Sequence, residues 1–225
     1  MLVNLIMFML EKVSIIKNSH KELIIIEGYK KILMLEIKET NLKGVFEIMP
    51  KVFGDARGWF LESWSDRELK TAGIGAVFVQ DNHSFSAEKG TLRGLHYQLN
   101  PMAQAKILRV TRGEIFDVAV DIRKGSPQYA QWVGVRLSAE NKTQLFLPRG
   151  FAHGFLTLTD DVEVQYKADN YYSPEHDGGV RWDDPSIGVE WPMKPQILSD
   201  KDKNAPTLAE RAASGLNFAY REAEA

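Results

Sequence analysis

The chain contains no cysteine among its 225 residues. Disulfides, thiolate zinc sites, iron–sulfur clusters and a cysteine nucleophile are therefore excluded. Histidine is scarce, so imidazole chemistry must come from His20, His83, His96, His153 or His176. The sequence also lacks an excess of charge of one sign, since 28 Lys and Arg residues face 30 Asp and Glu residues. This balance argues against a nucleic-acid-binding protein.

No apolar run is long enough to cross a membrane. The most apolar stretch opens the sequence (MLVNLIMFML) and ends at Glu11, whereas a spanning helix needs about 20 residues. The stretch has no basic start and no small-residue cleavage site, so it is not typical of a signal peptide. We therefore expect no membrane association and a cytoplasmic location.

Residues 1–39 differ in composition from the rest of the chain. They are rich in Ile, Leu and Lys, contain no Pro, Arg or Asp, and hold a single Gly. Their hydrophobic pattern has no clear period, and a short accessory hairpin or helix is one interpretation. We favour an N-terminal extension over residues 1–39, followed by the main domain over residues 40–225, which fits the chain length.

From residue 40 onward, short alternating apolar runs are separated by Gly, Pro, Asn and Asp, which is typical of a β protein. Strands are predicted over residues 44–49, 58–63, 76–85, 91–97, 105–111, 114–122, 130–137, 144–147, 154–158 and 162–169. Many short strands at this spacing favour a sandwich or a jelly-roll barrel.

Two short helices are also predicted. Ser65 and Glu68 have the spacing of a capping box at the start of a helix that ends near Gly73. The second helix runs from about Thr207 to Ala213, because Pro206 precedes it and a glycine follows it.

The segment GTLRGLHYQ, residues 90–98, is a predicted strand with two glycines within five residues. Regular alternation would place His96 and Gln98 on one face and Arg93 on the other. The glycines predict a bulge or a close backbone approach beside His96. A buried structural histidine is the ordinary interpretation, but this context favours a histidine that is aimed into a cavity.

The segment PRGFAHGF, residues 148–155, has the P-x-G-x-x-H spacing that recurs in the small double-stranded β-helix barrels called cupins. Metal-binding cupins combine it with an earlier H-x-H strand and a Glu. Here the earlier strand reads His96-Tyr97-Gln98, and no Glu follows at the expected distance. Two histidines without a carboxylate make a poor transition-metal site, so we predict a cupin cavity without metal or cofactor.

Asp117 alternates with an apolar face, so its side chain is either solvated or points into the barrel. A buried carboxylate needs a partner, and His153 is the natural candidate. Tyr166 shares a face with Val164, which predicts either a core tyrosine or a proton donor inside the barrel. Lys106 is in phase with inward apolar residues, which is uncommon because lysine is rarely buried without a partner.

Arg57 and Arg93 lie in sequence segments with aromatic character (Phe53, Trp59 and Phe60). Arginine can bind phosphate while an aromatic ring stacks on a base, so this mixture is compatible with nucleotide binding. Considered alone, Arg57 or Arg93 is more simply interpreted as an ordinary surface arginine.

Taken together, these segments resemble the dTDP-4-dehydrorhamnose 3,5-epimerases, enzymes of dTDP-L-rhamnose synthesis. The resemblance covers roughly residues 44–210 in the same order, and the family would start near Met34. It rests on FGDARGWFLESW, FVQDNHSFS, GTLRGLHYQ, QAKILRVTRGEIFDVAVDIRKGSP, LPRGFAHGFLTL, EVQYKADNYYSPEHDGGVRWDDPSIGVEWP and LSDKDKNAPTL.

The resemblance implies a homodimeric cupin-type jelly roll with a few short helices, in which N-terminal strands cross to the partner and help complete its site. It implies His96 as general base, Tyr166 as general acid and Lys106 beside the keto oxygen. Asp202 of the S-x-K-D motif would pair with His96, with Asp200 and Asp184 as nearby alternatives. Positions implied in substrate binding are Arg57, Phe60, Gln80, Asn82, Arg93, His153 and Lys201, with Asp117 as the partner of His153.

The implied substrate is a dTDP-linked 4-keto-6-deoxy sugar, and its chemistry suits these residue types. The ketone acidifies the hydrogens at C3 and C5, a histidine base titrates near neutrality, and a lysine stabilises the enolate oxygen. No cofactor is needed because the reaction has no net redox change. Two alternatives are a single-centre epimerase on a related sugar nucleotide and a non-catalytic cupin that binds one.

Overall fold

The computed structural model describes residues 14–18, 21–25, 34–215 and 218–220. The chain divides into two units, residues 1–33 and residues 34–225. In the first unit, β1 (Ser14–Asn18) and β2 (Lys21–Ile25) form an antiparallel hairpin. The assignment of residues 1–39 to an extension stays a prediction.

The second unit is built mainly from short strands. They are β3 (Leu35–Glu39), β4 (Phe46–Pro50), β5 (Val52–Asp55), β6 (Gly58–Leu61), β7 (Gln80–Ser86), β8 (Leu92–Gln98), β9 (Lys106–Arg112), β10 (Glu114–Asp121), β11 (Arg123–Lys124), β12 (Trp132–Ser138), β13 (Gln144–Leu147), β14 (Phe151–Thr157), β15 (Val162–Ala168), β16 (Asp177–Gly179) and β17 (Phe218–Ala219). The helices are α1 (Asp66–Thr71), α2 (Asp200–Lys203) and α3 (Leu208–Ala213), with a 3₁₀ turn over Pro174–His176.

Two antiparallel sheets pack face to face. One has the strand order β12-β10-β14-β8-β16, and the other has the order β3-β4-β13-β9-β15-β7. The core between them is formed by inward side chains of both sheets, including Ile115 and Phe155 from the first and Leu108, Leu145 and Val164 from the second. Burial of these apolar side chains is the main stabilising contribution. The predicted jelly roll is confirmed.

The outer face of the five-stranded sheet is covered by C-terminal segments. Leu95, Val118 and Val120 of the sheet pack in one cluster with Ile187 and Leu208. A strand that is buried on both faces has a nearly continuous apolar sequence. All seven residues of β14 are buried. The cavity described below is therefore on the inner side of this sheet.

Every predicted strand is present, with ends displaced by a few residues. The largest difference is in the strand predicted over residues 76–85, which begins only at Gln80. The preceding residues are instead held by packing, since Ala76 and Phe78 contact a cluster that includes Leu69 and Ile74. Among the described helices, none is long and apolar enough to span a bilayer.

The two helix predictions differ in outcome. At α3 the capping box is complete, because Thr207 Oγ1 accepts from Glu210 N and the Glu210 carboxylate accepts from Thr207 N. At α1 the helix is present, but the predicted capping box is wrong. Ser65 is the N-cap residue, but its side chain makes no cap hydrogen bond, while its carbonyl accepts from Leu69 N. Helix α2 was not predicted.

Candidate active site

A cavity of about 450 Å³ lies between the two sheets, within the size range of small-molecule sites. The five-stranded sheet contributes Arg93, His96 and His153, and the six-stranded sheet contributes Lys106 and Tyr166. The segment 197–202 closes one wall. Five polar or charged side chains from four strands thus converge on one space, with Leu92, Phe155 and Val164 as apolar lining.

A bulge in β8 aims His96 into this cavity. His153 of β14 is opposite His96, but Phe155 is opposite Arg93, so β8 has one extra residue between the paired positions. Gly94 lies in the extra segment with φ +131°, a conformation that side chains rarely adopt. Because of the bulge, Arg93 and His96 line the same cavity, and the regular alternation that separated them is wrong. The predicted irregularity beside His96 is confirmed.

Gly94 also allows β8 and β14 to approach closely. A Cβ atom at Gly94 would lie 2.5 Å from Gly154 Cα and 2.8 Å from the carbonyl oxygen of His153. We expect Gly94→Ala to lower the free energy of unfolding by about 2–5 kcal/mol, from backbone strain plus overpacking. Denaturant unfolding of Gly75→Ala is the matched control, since a Cβ there meets nothing within 4 Å. Equal stabilities of the two variants would contradict this reading of the bulge.

The predicted carboxylate partner of His96 is Asp202. Asp202 Oδ1 lies 2.5 Å from His96 Nε2, and the carboxylate is buried. The two alternatives have other roles: Asp184 accepts from Ser186 N and Leu208 N, and Asp200 lies beside Lys203.

Asp202 is held as an anion at the start of α2. Burial raises the pKa of Asp202, but hydrogen bonds with His96 and Ser199 and from the Gly94 backbone outweigh burial, so its pKa lies below the usual value. An anionic Asp202 accepts a hydrogen bond from the Nε2–H group of His96. The other ring nitrogen, Nδ1, makes no hydrogen bond to any residue of the described part of the chain, which leaves it free to accept a proton.

The second histidine is paired in the same way. His153 Nε2 lies 2.8 Å from Asp117 Oδ1, and Asp117 is 0% exposed. Of the two orientations left open for Asp117, the structure has the inward one, and the pairing with His153 is confirmed. Asp117 Oδ2 is also buried and has no hydrogen-bond partner among the described residues.

Lys106 and Tyr166 enter the cavity from the opposite sheet, as their alternation predicted. Lys106 Nζ lies 5.9 Å from the centre of the Tyr166 ring. Burial lowers the pKa of Lys106 to about 8, and burial raises the pKa of the Tyr166 phenol. At neutral pH the cavity therefore offers a cation and a protonated phenol on the side opposite His96.

The remaining predicted residues are divided between the cavity rim and the surface. Gln80 Nε2 donates to Asn82 Oδ1 at 3.0 Å, and Asn82 lines a neighbouring cavity of about 270 Å³ that Tyr166 also borders. Arg57 and Phe60 are not brought to either cavity. The Arg57 side chain is 83% exposed and pairs with Asp55, and Phe60 is 66% exposed.

Gln98, which stands where metal-binding cupins have a second histidine, has a structural role. Its Nε2 donates to the carbonyl oxygens of Met102 and Tyr171, and its Oε1 accepts from Ser173 N. The side chain thus ties two loops together. Within residues 34–215 and 218–220, no cluster of three or more His, Asp or Glu side chains is arranged to hold a metal ion.

One wall of the site was not predicted from the sequence. The wall at Ile197, Leu198 and Ser199 is held by Leu92 N donating to Ile197 O at 2.9 Å, a contact between distant segments that leaves no local pattern.

Comparisons with known proteins identify the family of this chain. A family model described as dTDP-4-dehydrorhamnose 3,5-epimerase matches residues 39–210. The enzyme of that name from Shigella flexneri is 54% identical over 171 residues, which cover 76% of this chain and 94% of the relative. A crystal structure of the Bacillus anthracis enzyme with TDP and pyrophosphate bound is 50% identical, with TM-score 0.75, covering 77% of this chain and 99% of the other.

A second solved structure shows a bound sugar nucleotide. It is dTDP-6-deoxy-D-glucose-3,5-epimerase from Legionella pneumophila in complex with dTDP-4-keto-L-rhamnose. It is 46% identical, with TM-score 0.79, and covers 83% of this chain and 99% of its own. The family match spans most of the chain and includes every residue that lines the cavity. This chain belongs to the dTDP-4-dehydrorhamnose 3,5-epimerase family.

Proposed function

We propose that this cavity inverts C3 and C5 of dTDP-4-dehydro-6-deoxy-D-glucose, giving dTDP-4-dehydro-L-rhamnose, with His96 as the base and Tyr166 as the acid. The observation that carries the assignment is the placement of the two groups. A histidine backed by a buried carboxylate enters from one sheet, and a protonated phenol enters from the other. A substrate between the sheets would present opposite faces of the sugar ring to them.

The proton transfers then follow from this placement. His96 Nδ1 takes the proton from C3 or C5, and the C–H electron pair moves to form an enolate with its charge on O4. Asp202 stabilises the imidazolium that results. The phenol of Tyr166 delivers a proton to the opposite face of the same carbon, which inverts the centre. Solvent exchange returns His96 and Tyr166 to their starting protonation states.

Lys106 is the proposed stabiliser of the enolate oxygen. Because burial lowers its pKa to about 8, the cation is lost as the pH rises through that value. We expect kcat/KM, which reports ionisations of the free enzyme, to fall along an alkaline limb centred near that pKa. Arginine stays protonated throughout this range, so Lys106→Arg should move the limb upward even if its rate is lower. An alkaline limb shared by both proteins would remove Lys106 from this role.

Arg57 and Phe60 support a further part of the proposal, a homodimer in which each subunit completes its partner's site. Both residues lie at the exposed hairpin β5–β6 and line neither of the two cavities described above. A cationic and an aromatic side chain are suited to the diphosphate and the base of a nucleotide. The predicted exchange of N-terminal strands and the cytoplasmic location stay predictions.

The dimer can be tested by complementation between two inactive variants. Co-expressed His96→Asn and Arg57→Ala/Phe60→Ala subunits should recover about one quarter of wild-type activity, because half of the dimers are mixed and each holds one complete site. The first control is each variant purified and assayed alone. The second is a mixture of the two purified variants that is assayed before their subunits can exchange. Activity no greater than the sum of the separate variants would contradict a shared site.

The overall proposal is tested with dTDP-4-dehydro-6-deoxy-D-glucose in deuterated water, followed by NMR at C3 and C5. We expect deuterium at both carbons together with inversion at both. Deuterium and inversion at one carbon only would show a single-centre epimerase. Binding without exchange at either carbon would show a non-catalytic cupin that binds sugar nucleotides.

A further inference from the structure

The cavity between the sheets has a cationic mouth and an apolar inner end. Arg93 lines the cavity with an exposed side chain. Ile197, in the wall of the cavity, is 38% exposed, and Lys201, which follows this wall in sequence, has a side chain that is 50% exposed. In contrast, Phe155 and Val164 line the same cavity although they are only 6% and 1% exposed. The cavity therefore has a distinct outer and inner end.

The inner end is continuous with the core and adjoins Tyr166. Phe155 and Val164 belong to the core cluster between the two sheets, and Tyr166 packs against that cluster. Val164 is the inward residue before Tyr166 on β15. Phe155 is the inward residue after His153 on β14, and the rings of these two residues are 6.5 Å apart. An apolar surface thus lies beside the proposed acid.

The shape of the proposed substrate determines which of its atoms reaches this end. The nucleoside diphosphate on C1 is bulky and anionic, so it extends through the mouth, where Arg93 and Lys201 offer positive charge. C4 lies across the pyranose ring from C1, which places the ketone and the neighbouring C5 at the inner end. C5 must also come within about 3–3.5 Å of the groups that exchange its proton. C6, which is bonded to C5, is therefore held next to Tyr166.

We propose that Phe155 and Val164 form the seat of the C6 methyl group and restrict the reaction to 6-deoxy sugars. The inference rests on the proposed function and adds the residues that set its substrate range. A methyl group in this seat is removed from water against two buried apolar side chains, which is favourable. A hydroxymethyl group is larger and loses hydration of its hydroxyl, whereas a hydrogen atom leaves the seat partly empty.

Ser84 provides the competing interpretation of the same end of the cavity. It is opposite Val164 in the pairing of β7 with β15, and it also lines the cavity. A cavity built for hydroxylated sugars would use the Ser84 hydroxyl to bind a 6-hydroxyl group. The methyl seat and the Ser84 interpretation therefore predict opposite substrate preferences.

The test compares three dTDP-linked 4-keto sugars that differ only at C6. They carry the methyl group of the 6-deoxy hexose, the hydroxymethyl group of the hexose, or the hydrogen of the pentose. Deuterium exchange at C3 is common to all three, so kcat/KM for this exchange can be compared directly. We expect the 6-deoxy sugar to exceed each of the others by about 10–10²-fold, the range for one small group in an apolar pocket. A simple limit on size would reject only the hydroxymethyl sugar.

Two variants of the seat test the residues themselves. Val164→Ala should lower the preference for methyl over hydrogen by about tenfold and should raise the relative rate with the hydroxymethyl sugar, because it removes two methyl groups from the seat. Phe155→Leu should also lower the preference for methyl over hydrogen, and it serves as the test if Val164→Ala does not fold. Ratios of kcat/KM measured on one preparation do not depend on its folded fraction, so a merely structural role would leave them unchanged.

Val162→Ala is the matched control. Val162 is the inward residue before Val164 on β15, is 0% exposed and belongs to the same core cluster, but it does not line the cavity. Its substrate ratios should equal those of wild type. Circular dichroism of each variant confirms that folded proteins are compared.

The outcomes separate this inference from the proposed function. Similar kcat/KM values for all three sugars in wild type, or a preference for the hydroxymethyl sugar, would overturn the methyl seat while epimerisation of the 6-deoxy sugar stands. A methyl preference that is unchanged in folded Val164→Ala and folded Phe155→Leu would assign the selectivity to other residues and would also overturn it. Absence of exchange at C3 and C5 with every sugar would overturn the proposed function itself.

Discussion

Replacing His96 with asparagine is expected to lower hydrogen exchange with solvent at both C3 and C5 by about 10²–10⁴-fold, the loss typical of removing a general base. Asparagine has no nitrogen that accepts a proton at neutral pH. Asp202 also accepts hydrogen bonds from the Ser199 side chain and the Gly94 backbone, so the buried carboxylate keeps partners without the imidazole and the fold should be retained. The measurement is deuterium incorporation by NMR, with inversion recorded in the same sample.

His83→Asn is the matched control for this prediction. His83 is half exposed, lies in β7, and has a carboxylate partner in Glu163 at 3.0 Å, so it shares the histidine–carboxylate pairing but does not line the cavity that holds His96. Its exchange rates should equal those of wild type. Exchange at either carbon that survives in folded His96→Asn would assign that centre to another base, with His153 as the remaining imidazole in the cavity.

The sequence predicts the strands and the inward side chains well because both depend on a local pattern. Alternation of apolar residues is sufficient to place Tyr166 and Lys106 inside the jelly roll. Burial of charge adds a second constraint, which is why the pairing of Asp117 with His153 could be predicted before the structure. These inferences succeed because each depends on the residue itself and on one neighbouring strand.

The errors arise where one residue changes the geometry of those around it. Regular alternation would place Arg93 away from His96, and the bulge at Gly94 moves it to the same side. The choice of Asp202 over its neighbours depended on how α2 meets β8, a contact between residues 106 positions apart.

Tyr166→Phe is expected to separate proton removal from inversion. Exchange needs only His96 and a stabilised enolate, so deuterium incorporation should survive at a substantial rate. Inversion also needs a proton from the opposite face, so net epimerisation should fall by about 10²–10⁴-fold. The substitution keeps the ring and removes one hydroxyl, which limits the stability cost to about 1 kcal/mol. The measurement is the ratio of the exchange rate to the inversion rate, determined by NMR on one reaction. This ratio should be much higher in Tyr166→Phe than in wild type.

Tyr97→Phe is the control that isolates the position of the phenol. Burial raises the pKa of Tyr97 as it does that of Tyr166, but Tyr97 packs in the apolar cluster on the outer side of the five-stranded sheet. Its loss should leave both rates unchanged. Equal losses of exchange and inversion in Tyr166→Phe would mean that the phenol positions the substrate. Unchanged inversion would make Tyr166 a structural tyrosine, and the opposite-face proton would then have to come from Lys106 or from solvent.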